Sequence, residues 1–262
     1  MISLERRGGR PLRIGHRGAA ALAPENTLGS FRAALEAGVD LIEFDVLDLR
    51  GGELVIAHSN DLGEVSHGST SGSVRDRSLE SLRKICPELP TLDEALAFFV
   101  DEACETGLHL DLKIHGTEAA VVAALHRSDL QERSFVSSFH FRTVRRLVQI
   151  EPRIRAGITV PRPVLGIGES GRGAPIARLG LGLLRGVTPL ALPLALSTSH
   201  ATALVLHHSL VDRSAVQRAR DRGAAVVAWT VDDPQDLARV EAAGVDAVVT
   251  NDPRIFVSTL ET

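Results

Sequence analysis

Leu41-Ile42-Glu43-Phe44-Asp45-Val46 reads as a β-strand that carries two carboxylates. Successive side chains of a strand point to opposite faces, so Glu43 and Asp45 share one face and Ile42, Phe44 and Val46 share the other. Two carboxylates side by side on a buried face repel each other and lose hydration unless a cation joins them. A second strand repeats the arrangement. In Leu108-His109-Leu110-Asp111-Leu112-Lys113-Ile114 the leucines and Ile114 face one way, and His109, Asp111 and Lys113 face the other. A half-exposed antiparallel strand would also alternate, but it fits poorly with the helices that follow each strand here. In a closed barrel the apolar faces meet the helices and the polar faces point inward.

Outward from these two strands, short β-like runs alternate with helical ones. Residues 13–16 read as a strand, and 27–37 as a helix capped by Asn26 or Thr27. The chain extends again over 53–58 after the Gly51-Gly52 turn, and the polar stretch 59–90 holds a short helix near 79–85. A Thr91-Leu92-Asp93-Glu94 capping box opens a helix over 91–106. Helices are expected at 117–126, 141–150, 214–222 and 236–243, and strands at 135–138, 154–159, 203–207, 224–231 and 246–250. Within 160–200, a helix is expected near 175–185. About eight β/α units with no strand-only region argue for parallel strands joined by crossover helices. A closed barrel and an open doubly wound sheet both fit that count. The length of 262 residues suits one α/β barrel, which takes about 250.

Composition narrows the function classes. Hydrophobic residues make up 44 % and charged residues 24 %, the balance of a globular protein with a large core. Aromatic residues are only 3 %, so Ala, Val and Leu must fill that core. A net charge of −4 and no long basic run leave no footprint for nucleic acid. Cys86 and Cys104 lack metal-ligand spacing and read as reduced thiols, not a disulfide scaffold or a zinc site. Residues 1–11 are charged without an apolar core behind them, which is no secretory signal, so a cytoplasmic location is expected. The apolar stretch 174–206 is broken by Arg178, Arg185, Pro189, Pro193 and His200, so no transmembrane segment is expected. Gly15-His16-Arg17-Gly18 lacks the glycine spacing of a dinucleotide loop.

The candidate chemistry lies at strand ends. Barrel active sites gather at the C-terminal ends of the strands, where His16-Arg17 and His58 fall. Arg17 can fork onto phosphate oxygens and Lys113 can pair with them. Glu43, Asp45 and Asp111 offer oxygen ligands to a cation. His140, His207 and His208 also follow strands and read as structural or rim residues.

Together these residues resemble the glycerophosphodiester phosphodiesterase family. His16-Arg17-Gly18 followed by Pro24-Glu25-Asn26-Thr27 looks like its first signature, and Glu43-Phe44-Asp45-Val46 like its Glu-x-Asp signature. His58 sits at the place of the second histidine, and Pro90-Thr91-Leu92-Asp93-Glu94 resembles the lead into the next helix. Asp111-Leu112-Lys113 resembles its carboxylate-x-Lys strand, and Trp229-Thr230-Val231, Gly244-Val245-Asp246 and Thr250-Asn251-Asp252-Pro253 resemble the closing strands. The resemblance runs from about Ile14 to Pro253. It departs at Asp111, where the family usually has Glu, and at Ser59, where it usually has Asp.

The resemblance implies a single TIM-type (β/α)8 barrel over residues 1–262 with a core of about 11–257. It implies a metal-dependent hydrolase that cleaves glycerophosphodiesters to glycerol 3-phosphate and an alcohol, within glycerol and lipid metabolism. Glu43, Asp45 and Asp111 would hold one divalent cation, Mg²⁺ or Ca²⁺. Arg17 and Lys113 would bind the phosphate, and His16 and His58 would act as general acid and base. Glu25 is expected to order the site, and Trp229 to pack on the substrate or fill the core. The apolar segment 179–196 raises a lysophospholipid substrate as an alternative, and the two departures raise a non-catalytic phosphodiester-binding barrel.

Overall fold

The computed structural model describes residues 2–161 and 193–259. Eight parallel strands close into a barrel: β1 (Leu12–Gly15), β2 (Leu41–Asp48), β4 (Gly107–Leu112), β5 (Ser134–Ser138), β6 (Arg155–Val160), β7 (Ala203–His207), β8 (Ala225–Trp229) and β9 (Ala247–Thr250). β1 closes the ring by pairing with both β9 and β2. This closure decides between the two sheet topologies left open by the count of units. β3 (Leu54–Ile56) stands outside the ring and pairs antiparallel with β2. The stretch 53–58 is thus a flanking strand and not a barrel stave.

Helices α1 (Leu28–Glu36), α2 (Leu62–Val65), α3 (Leu79–Ile85), α4 (Leu92–Asp101), α5 (Glu118–Arg127), α6 (Phe141–Ile150), α7 (residues 193–199), α8 (Arg213–Arg220) and α9 (Pro234–Ala243) connect the strands. Thr27, not Asn26, caps α1 through a capping box with Ser30. The Thr91–Glu94 box opens α4 as expected, but the helix stops at Asp101, short of residue 106. There the chain must turn, because Gly107 begins β4 beside Leu41. The helix expected near 175–185 lies outside the described residues, as does most of the 179–196 segment.

Strand alternation splits the core in two. Phe44, Val46, Leu108, Leu110 and Leu112 point out against the helices. Leu12, Leu41, Phe135, Val205, Val227 and Val249 point into the barrel, with Leu4 packed among them. Phe44 is the pin for β2. Its ring lies 5.4 Å from Phe31 and 5.7 Å from Phe99, between α1 and α4. Burying such a ring fixes the strand that carries Glu43 and Asp45, and truncating one typically costs about 3–5 kcal/mol. Among the described residues no helix is long and apolar enough to cross a membrane.

Candidate active site

The register of β2, β4 and β5 builds the centre of the site. Asp45 pairs with Asp111, and Asp111 with Ser137; one layer deeper, Glu43 pairs with His109, and His109 with Phe135. Inward alternation therefore gathers three acidic side chains. Glu43, Asp45 and Asp111 are all buried and each offers an oxygen within 4.8 Å of the others.

Two cations face these carboxylates. Lys113 Nζ bridges Asp45 Oδ1 at 2.8 Å and Asp111 Oδ2 at 2.9 Å. Arg17 Nε lies 3.3 Å from Asp45 Oδ2, while its Nη1 donates to both oxygens of Glu25 at 2.9 Å. Glu25, the more exposed of the two, thus pairs with Arg17. Asn26 Nδ2 donates to Asp45 Oδ2 at 2.7 Å, and its Oδ1 accepts from the Asp45 amide at 3.1 Å. In the sequence Asn26 is a candidate cap and part of the Pro24–Thr27 signature; its bonds to Asp45 join two elements and give it a role in the site.

The turn after β1 is tight by construction. Arg17 and Asn26 both take positive φ, 51° and 58°, a conformation rare for residues with a Cβ. Gly18 has φ 86°, and a Cβ there would meet Ser30 Oγ at 2.3 Å. This turn aims the Arg17 amide at Glu43 Oε2, 2.8 Å away.

Electrostatics separate the three acids. Burial, then the charges of Asp45 and Asp111, push the Glu43 carboxyl well above the usual range. Burial would do the same to Asp45, but Lys113, Arg17, His58 and His16 together hold it far below that range. Three buried carboxylates against two cations, with one acid forced toward its protonated form, is a donor set suited to a metal ion. All its ligand atoms are oxygen, as hard divalent cations require.

The histidines approach from two sides. His16 follows β1, and its Nδ1 lies 2.7 Å from Asn251 Oδ1. Asn251 Nδ2 donates to Asp232 Oδ2 at 2.7 Å, so the amide oxygen is the atom turned to His16 and Nδ1 carries the proton. Nε2 is then the nitrogen that faces the acids, 3.9 Å from Glu43 Oε2. Asn251 and Asp232 escaped notice as site residues because they come from the far end of the chain. His58 follows β3, and the preceding Ala57 ties the chain to β2 by donating its backbone N–H to the Asp45 carbonyl at 3.1 Å. Its Nδ1 lies 3.9 Å from Glu64 Oε2 on α2. Ser59 Oγ accepts from the Asp61 amide and serves its own turn.

A cleft of about 340 Å³ opens here, lined by His16, Glu43, Asp111, Lys113, Phe139 and Trp229 among others. Arg17 and Asp45 lie buried behind its lining, and His58 is not part of that lining. Trp229 both fills and lines: it is 8 % exposed, and its indole N–H donates to the Val205 carbonyl at 3.2 Å. Its ring meets Phe139 and His207 edge-on. Burial, then the neighbouring His208, lowers His207 to about 4, so it stays neutral at the rim. Burial, then His16, lowers His109 to about 3. Cys86 and Cys104 are free thiols away from this cleft.

Comparison with known proteins agrees with this geometry. The chain is 26 % identical over 259 residues to a glycerophosphodiester phosphodiesterase of Caldanaerobacter subterraneus, covering 94 % of this chain and 96 % of that one. Its fold matches a phosphodiesterase of Oleispira antarctica, solved in complex with the product sn-glycerol-3-phosphate, with a TM-score of 0.74 and 25 % identity. That match covers 97 % of this chain and 98 % of the other. A glycerophosphodiester phosphodiesterase of Thermotoga maritima shares the fold at a TM-score of 0.69 and 21 % identity, over 95 % of this chain and 98 % of that one. The family model described as glycerophosphoryl diester phosphodiesterase matches residues 16–255. The chain belongs to the glycerophosphoryl diester phosphodiesterase family and is a phosphoric diester hydrolase.

Proposed function

We propose that this barrel hydrolyses water-soluble glycerophosphodiesters to glycerol 3-phosphate and a free alcohol. The observation that carries the reading is the buried Glu43, Asp45 and Asp111 group on the inward faces of β2 and β4, with His16 Nε2 turned toward it. The product bound to the Oleispira relative supports the glycerol 3-phosphate half. Glu43, Asp45 and Asp111 would hold one divalent cation, Mg²⁺ or Ca²⁺. When bound, the cation supplies positive charge that polarises the phosphodiester and steadies the charge growing on its oxygens.

The chain's own residues do the rest. Lys113 brings positive charge to the cleft wall, where a phosphate can share it with the carboxylates, and the buried Arg17 adds its charge from behind that wall. The Asn251 tether leaves Nε2 as the nitrogen through which His16 moves a proton. His58 serves the opposite proton transfer, so that one histidine takes the proton of the attacking hydroxyl and the other gives one to the leaving alcohol. The buried Trp229 and the half-buried Phe139 form an apolar wall for the glycerol carbons. Two free thiols suit a reducing compartment and support a cytoplasmic place of action.

The test is turnover of glycerophosphocholine and glycerophosphoethanolamine with Mg²⁺, Ca²⁺, Mn²⁺ or EDTA, beside His16→Ala. Cation-dependent release of glycerol 3-phosphate that drops about 100-fold or more in the variant supports the reading. No turnover with any cation refutes it and favours a phosphodiester-binding barrel.

A further inference from the structure

We propose that Ser137 and His109 are positioning residues for Asp111, a two-bond relay that fixes its carboxylate for the cation. This rests on the reading of Glu43, Asp45 and Asp111 as the cation site. Ser137 Oγ lies 2.8 Å from Asp111 Oδ1, and His109 Nε2 lies 2.9 Å from the same Oγ. A hydroxyl has one proton to give. A carboxylate oxygen can only accept, so that proton goes to Asp111. Ser137 must then accept from His109, which places a proton on Nε2. Each bond in the relay has one direction.

The relay is also held in place. Phe135 stacks on the His109 ring with centroids 4.4 Å apart, and His109 and Ser137 are each 2 % exposed. The imidazole cannot turn without breaking that packing. Lys113 takes the other oxygen of Asp111. The terminal torsion of an aspartate is otherwise broad, so an untethered Asp111 would lose freedom whenever it took up a cation. Outer partners that orient a ligand typically contribute 10–100-fold to metal affinity. The neighbouring Ser138 offers an internal control, because its Oγ donates to the Leu112 carbonyl at 2.7 Å and not to the site.

The experiment measures Mn²⁺ binding to the full chain by calorimetry and by the paramagnetic resonance of free Mn²⁺, with melting temperature recorded for each variant. Ser137→Ala and His109→Phe should each weaken Mn²⁺ by about tenfold or more. The double variant should be no weaker than Ser137→Ala alone, since the two act in series. His109→Gln, which keeps a donor, should retain more affinity than His109→Phe, and Ser138→Ala should bind as the wild type does. If Ser137→Ala does not fold, the contrast of His109→Gln with His109→Phe decides. Equal affinity in wild type and Ser137→Ala, additive losses in the double variant, or no difference between the two His109 variants removes the relay alone. A wild type that takes up no Mn²⁺ removes the cation site and the relay with it.

Discussion

Lys113→Met removes the ammonium that joins Asp45 and Asp111 while keeping most of the side chain's bulk. The lysine side chain is 15 % exposed and Asp45 is fully buried, so water cannot readily replace the lost charge. Removing one partner of a buried pair typically costs about 3–5 kcal/mol. Unfolding entropy is about 2.1 cal/mol/K per residue, or roughly 0.55 kcal/mol/K for a chain of 262 residues. The melting temperature in EDTA should therefore fall by about 5–9 °C. A cation at about one hundred times its Kd adds roughly 2.7 kcal/mol to the wild type. It should add more to the variant, whose carboxylates have lost a competing positive charge. Thermal unfolding followed by circular dichroism, in EDTA and in saturating Mn²⁺, reads both effects. An unchanged melting temperature in EDTA would refute the view that Lys113 neutralises the buried acids.

Other perturbations test separate parts. Asn251→Leu cuts the His16 tether, and kcat should fall at least about tenfold with KM little changed, as steady-state kinetics on glycerophosphocholine would show. His207 is held near 4, below the usual 6.5, so the unfolded chain takes its proton first as pH drops. Its contribution is present above pH 6.5 and lost between 6.5 and 4, so melting temperature should fall less for His207→Gln than for the wild type over that range. Glu151 is held at about 2, chiefly by Arg153 and with help from His126, below its ordinary 4.5. Its contribution is present above pH 4.5 and lost as pH falls toward 2, so Glu151→Gln should melt earlier at pH 7 and with the wild type near pH 2.

Much of the barrel was legible in the chain. α3, α6 and β7 fall at the residues their patterns predict, because each is a short amphipathic or alternating run with clear ends. The inward columns of Glu43 with Asp45 and of His109 with Asp111 follow from strand alternation alone. Ring closure did not, since the pairing of β1 with β9 joins residues more than 230 apart. α2 was missed because four residues are too few for a helical period, although Asp61 caps it. Asn251, Asp232 and Ser137 were missed as site residues for a related reason. Each is an ordinary polar residue, and its meaning comes from a partner 19–235 positions away.

The most direct test of the account is phosphorus NMR of glycerophosphocholine incubated with the wild type and with Glu43→Gln. With Mg²⁺ or Ca²⁺ the wild type should convert the diester signal to that of glycerol 3-phosphate, and EDTA should stop it. Glu43→Gln should fold yet turn over about 100-fold more slowly or worse. Turnover that persists in EDTA, or that Glu43→Gln leaves intact, would contradict a cation-dependent phosphodiesterase centred on the buried acids.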